Sequence, residues 1–121
     1  MYMIDIKSRV PIYEQLKNRT LELIMAGILA SGDKMPSVRS LAGDLGVNPN
    51  TIQKAYQDME KEGIIYTVAG RGSFVSENQT INESSIRNAI EKLEKSAYEA
   101  RLYGVTIEKA TLVVKQAFER E

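Results

Sequence analysis

The stretch that most constrains this chain runs from Ser37 to Val75, where the hydrophobic period is helical twice and then becomes extended. Val38, Leu41, Ala42 and Leu45 fall on one helical face, and Gly46 is a natural stop. Ser37 just ahead has the side chain of an N-cap. Asn48-Pro49 opens another helix almost at once. Asparagine suits the cap, and proline suits the first helical position, where an N–H has no partner to lose. Ile52, Ala55, Tyr56 and Met59 then repeat at helical spacing until Gly63, so this helix is expected over Asn48–Glu62. Ile64–Val68 is β-branched and aromatic, Ala69-Gly70-Arg71-Gly72 reads as a tight turn, and Ser73–Ser76 reads as a return strand. A pair of short helices joined through a glycine fits a plain helical bundle as well as a helix-turn-helix. The hairpin that follows directly favours the second, in its winged form.

The flanks complete a mainly α architecture with one small β-hairpin. A first helix starts near Pro11, with Ile12, Leu16, Leu23 and Ile24 on its apolar stripe, Thr20 in the gap, and Gly27 as its stop. Ser31-Gly32-Asp33 reads as a turn. Beyond Val75, Glu77–Asn82 is polar and reads as a linker. A long amphipathic helix is expected over Asn82–Tyr103, with Ile86, Ala89, Ile90, Leu93, Ala97 and Ala100 on one side and Gly104 at its end. Thr106 can cap a last helix whose Ile107, Ala110, Val113, Val114, Ala117 and Phe118 are expected to face inward. The chain thus divides into a winged helix-turn-helix domain, residues 1–76, and a linker with a two-helix tail, residues 77–121.

Composition narrows the chemistry. The chain has no cysteine and no histidine, which removes disulfides, Cys/His metal sites and any Ser-His-Asp triad. No nucleophile-base pair stands out, and the Gly70-Arg71-Gly72 run lacks the spacing and following helix of a dinucleotide loop. Neither enzyme activity nor a cofactor is therefore expected. The 121 residues suit one compact domain, or one small domain plus an appendage, with little room for an enclosed ligand pocket. A charged N-terminus without an apolar run, and no stretch of membrane-spanning length, lead to the expectation of a cytoplasmic protein with no membrane partner. The 16 basic and 16 acidic side chains cancel. Affinity for a polyanion would then have to come from local placement of charge and from helix N-termini.

The block "MPSVRSLAGDLGVNPNTIQKAYQDMEKEGIIYTVAGRGSFV" closely resembles the winged-helix domain of the GntR superfamily of bacterial regulators. The preceding "PIYEQLKNRTLELIMAGILASGDKMPS" is similar to that family's first helix and the short strand after it. A tail this short looks like that of the YtrA-type subfamily. The resemblance implies a sequence-specific DNA-binding transcription regulator, by default a repressor, that dimerises through the tail and often sits beside transporter genes.

Several residues are then candidates for contact with double-stranded DNA. In a helix-turn-helix the second helix enters the major groove and its N-terminal residues reach base edges. The outward positions Asn50, Thr51, Gln53, Lys54 and Gln57 carry the groups for this: amides for adenine, a hydroxyl and methyl for a base or a thymine methyl, and an ammonium for a base or phosphate. Read without the motif, the same face is simply solvated. By the resemblance Arg39 contacts the operator; its bland alternative is a surface ion pair, for example with Asp44 or a neighbouring acid. Ser37 and Ser40 can donate to phosphate, and Ser37 and Asn48 also suit caps. At the wing, Arg71 between Gly70 and Gly72 is a minor-groove or phosphate probe, or else one exposed charge on a turn. Relatives in the fatty-acid-responsive branch carry arginines where this chain has Pro49 and Gln53, so their operator does not transfer.

A two-helix hairpin cannot bury two apolar stripes alone. Pairing with a second copy through Ile86, Ile90, Leu93, Ala97, Val114 and Phe118 is therefore expected. Any small-molecule effector would have to bind between the domains or at the dimer seam. The competing class is a winged helix that binds proteins and not DNA; Arg39, Gln53, Lys54 and Arg71 acting together distinguish the two.

Overall fold

The structure is a computed structural model that describes residues 1–77 and 83–120. It contains helices α1 (Ile12–Met25), α2 (Val38–Leu45) and α3 (Pro49–Lys61), strands β1 (Ile65–Val68) and β2 (Gly72–Val75), and helices α4 (Glu83–Leu102) and α5 (Ile107–Glu119). The fold is thus mainly helical with one two-stranded hairpin, as expected from the sequence. The chain separates into two compact units, Met1–Asn82 and Glu83–Glu121. The linker expected at 77–82 lies, apart from Glu77, outside the described residues, as does the expected first residue of the long helix.

In the first unit α3 is the central element, packed against α1, α2 and β1. Its apolar stripe of Ile52, Ala55, Tyr56 and Met59 is buried against Leu16 and Leu23 of α1, Leu41 and Ala42 of α2, and Ile64, Ile65 and Val75 of the hairpin. Ile52 and Met59 are fully enclosed, and burying each contributes about 1.5–3 kcal/mol. Thr20, the polar residue in the α1 stripe, is also fully buried. Its hydroxyl donates to the Leu16 carbonyl at 2.8 Å and therefore accepts from the Tyr2 hydroxyl at 2.6 Å. This contact fastens the N-terminal segment along α1, and Gln15 fastens it again through Asp5 and Val10.

Element boundaries shift slightly from the sequence reading, each for a local reason. Pro11 is the N-cap of α1, its ψ of 148° still extended, so the helix starts at Ile12. Ile64 spends its N–H on the Met59 carbonyl, which closes α3, and strand pairing begins only at Ile65. Gly72 joins the ladder opposite Val68, so β2 starts one residue earlier than Ser73. A third extended piece, at Lys34, bridges Phe74 of β2.

The second unit is a helical hairpin. Thr106 accepts from the Lys109 N–H at 3.2 Å and caps α5, while Gly104 makes the turn. Neither helix contains a buried residue. Ala100 and Ala110 are half-buried beside the turn. The stripe of α5 expected to face inward does not do so within one chain: Ile107, Val113 and Val114 are exposed, and Phe118 is 82% exposed. Ile86, Ile90 and Leu93 of α4 are exposed as well. Two helices that meet near their turn leave the remaining lengths of both stripes uncovered.

Candidate nucleic-acid interface

The helix pair is set at a fixed angle by short-range contacts. Gly46 closes α2 with φ of 69°, in the left-handed region where a side chain is costly. The Val47 N–H returns to the Ala42 carbonyl at 3.0 Å. The Asn48 side chain then accepts from the Asn50 N–H at 2.8 Å and starts α3. Ser37 caps α2 by accepting from the Ser40 N–H at 3.1 Å. The segment leading into α2 is tied to α3 by the Tyr56 hydroxyl, which donates to the Pro36 carbonyl at 2.6 Å. Burial pushes the pKa of this phenol well above its ordinary value, so it stays a neutral donor.

The side of α3 opposite its buried stripe is polar. Asn50, Gln53, Lys54 and Gln57 are exposed, and Thr51 is half-buried. Ser37, Arg39, Ser40 and Asn48 are also exposed at the α2 end of the pair. Among the described residues Arg39 has no ion-pair partner, so the pair with Asp44 does not form. Asp58 and Glu60 occupy the C-terminal part of α3 and Glu62 is its C-cap, all away from its N-terminal turn. Glu62 approaches Lys17 of α1 at 3.3 Å, a contact of charges across the α1–α3 seam.

The wing is anchored at its base and exposed at its tip. Ile65 and Val75 pair across the buried end. Tyr66 stacks on Phe74 with ring centroids 5.6 Å apart, and the Thr67 and Ser73 hydroxyls meet at 3.1 Å. The Arg71 N–H then closes the turn on the Val68 carbonyl at 2.9 Å, with Gly70, Arg71 and Gly72 all exposed.

Two side chains join this surface that the sequence reading did not single out. Lys34 crosses the wing: a Cβ on Gly72 would lie 3.1 Å from its Cε and 3.9 Å from its Nζ. A second cation of the wing therefore lies close to Gly72. Tyr13, in the first turn of α1, lies under the Lys54 ammonium, 4.3 Å from the ring centroid. Both contacts join residues far apart in sequence, so periodicity and capping could not reveal them. Among the described residues there is no group of side chains suited to a metal ion, and no helix long and apolar enough to cross a membrane.

Comparison with known proteins agrees with this geometry. The profile of "Bacterial regulatory proteins, gntR family" matches residues 12–75, from α1 through β2. The HTH-type transcriptional repressor YtrA of Bacillus subtilis (strain 168) is 43% identical over 118 residues, covering 96% of this chain and 91% of that protein. The crystal structure of a transcriptional antiterminator from Listeria monocytogenes EGD-e superposes with a TM-score of 0.86 at 34% identity, covering 97% of this chain and 89% of the other. The DNA-binding domain of AraR, solved in complex with operator ORX1, superposes with a TM-score of 0.54 at 32% identity, covering 61% of this chain and 92% of the other. The first of these proteins is named as a transcriptional repressor and the second as a transcriptional antiterminator, and the third was solved on operator DNA. The winged helix-turn-helix and the full-length likeness to YtrA together establish that this chain belongs to the GntR family of bacterial regulatory proteins, in its YtrA-type subfamily.

Proposed function

We propose that this GntR-family regulator acts as a homodimeric repressor on a palindromic operator, controlling a transporter operon. The observation that carries the proposal is the exposed polar face of α3, flanked by Arg39 and Arg71, neither of which has an ion-pair partner among the described residues. The name of the B. subtilis relative supports repression, and the operator complex of AraR supports direct DNA contact. The transporter target rests on the YtrA-type membership alone. The exposed apolar stripes of α4 and α5 support pairing with a second copy.

In this reading the first turns of α3 enter the major groove. The amides of Asn50 and Gln53 have the donor-acceptor pair that matches adenine, and Thr51 offers a hydroxyl and a methyl. Arg39 contacts the operator from the start of α2, and the hydroxyls of Ser37 and Ser40 donate to phosphates. Asn48, its carbonyl oxygen engaged as a cap, keeps its amide N–H groups for a phosphate. Lys54 supplies charge, and Arg71 enters the minor groove, with Gly70 and Gly72 letting the wing backbone come close. A dimer reads two half-sites about 34 Å apart, or a multiple of that, and blocks the promoter between them.

The test is a titration of operator DNA at several salt concentrations with the parent, Arg39→Ala and Arg71→Ala. Each variant is expected to bind more weakly and to lower the salt slope by about 1. Unchanged affinity in both would instead favour a winged helix that binds protein.

A further inference from the structure

Of the cations on the proposed DNA face, Lys54 has an aromatic partner within the chain. Its ammonium lies 4.3 Å from the Tyr13 ring centroid, within the range of an attractive cation–π contact. The two residues belong to different helices. Tyr13 is in the first turn of α1 and Lys54 near the middle of α3, and both helices are held by the shared core. A lysine side chain has four rotatable bonds and a compact charge, so free in solvent it occupies many positions. The contact with Tyr13 favours one of them. An ion pair across this seam, Lys17 with Glu62, lies toward the C-terminal end of α3, where a carboxylate does no harm to phosphate binding. At the Lys54 position an aromatic ring holds the ammonium without neutralising it. An acidic partner there would have cancelled one positive charge in a chain whose net charge is already zero.

We infer that Tyr13 is a positioning residue for DNA binding: its ring, and not a carboxylate, holds the Lys54 ammonium at the α1 side of the recognition helix, ready for a backbone phosphate. Preorganising a charged side chain removes part of the ordering cost of the complex. An exposed cation–π contact corresponds to about a two- to five-fold effect on affinity. The inference rests on the reading of α3 as a DNA-recognition helix.

The experiment is a double-mutant cycle on the operator fragment, using the full chain. Tyr13→Leu removes the π face, Tyr13→Phe keeps it, and Lys54→Met removes the charge. Tyr13→Leu is expected to weaken binding about two- to five-fold in the parent, to leave affinity unchanged in the Lys54→Met background, and to be rescued by Tyr13→Phe. Lys54→Met is expected to reduce the salt slope by about 1. Proton spectra of the free protein supply a readout independent of DNA. The Lys54 Hε resonances are expected to be shifted upfield by the Tyr13 ring current in the parent and in Tyr13→Phe, and not in Tyr13→Leu. An equal loss from Tyr13→Leu in both backgrounds would overturn the inference, because the ring would then act through packing. A missing ring-current shift would overturn it with the DNA reading intact. A parent that selects no DNA would remove the functional reading, and this inference with it.

Discussion

Single side chains do unequal work on this surface, and local reach decides which of them sequence reveals. Ser37, Asn48 and Thr106 were legible as caps because each bonds an N–H two or three residues away. Tyr56 was legible as core from its spacing, but its hydroxyl bond to Pro36 was not, since the partner lies twenty residues back along the chain. That bond ties α3 to the lead-in of α2. Tyr56→Phe leaves the Pro36 carbonyl without its donor and is expected to cost about 1–2 kcal/mol in chemical denaturation. Burial raises this phenol above its ordinary 10.0, so the unfolded chain ionises first as pH rises. The stabilisation is therefore whole below about pH 10, the unfolded value, and is lost progressively as pH rises from there toward the higher folded value. The variant should show a shallower alkaline decline than the parent. Tyr13 and Lys34 escaped the sequence reading for the same reason as the Tyr56 bond: their partners are remote, and nothing local marks them.

At the scale of elements the alternation of period was enough to read α2, α3 and the hairpin in order, because each buries one face in the same core. What periodicity could not give was the exact hand-over between elements, which depends on where single N–H groups go. Ile64 illustrates this: apolar and β-branched like a strand residue, it is used to close α3. The wing turn depends on its own backbone more than on side chains. Gly72 has φ of 116°, and an added Cβ would also come within 3.1 Å of Lys34 Cε. The Lys34 chain end is flexible and can move aside at small cost, whereas the backbone conformation cannot be relieved. Gly72→Ala is therefore expected to cost about 1–2 kcal/mol, and the double variant Lys34→Ala, Gly72→Ala should retain most of that loss. Full recovery of stability in the double variant would show that the contact with Lys34, and not the backbone, decides the residue at position 72.

The whole molecule is a folded winged helix joined to a hairpin that covers little of its own apolar surface. Its tail was legible as two amphipathic helices, but the exposure of their stripes within one chain was not, because that depends on how much of their length the two helices share, and they meet only near their turn. Ile90 and Leu93 of α4 are about half exposed, at 51% and 49%. Leu93→Glu is expected to convert the dimer to monomer in light scattering at micromolar concentration, to leave the winged helix folded, and to weaken operator binding by at least about ten-fold as the second half-site is lost. A parent that is monomeric under the same conditions would contradict the dimer. With a net charge of zero, the proposed DNA binding gains less from unspecific attraction and would rest on a few placed groups. The central claim, sequence-specific binding by a two-fold pair of recognition helices, is tested most directly by selecting genomic fragments with the purified protein and sequencing what is retained. The predicted result is one enriched inverted repeat, its half-sites one or more helical turns apart, upstream of a small set of genes; retention without any shared sequence, or a single unrepeated half-site, would contradict it.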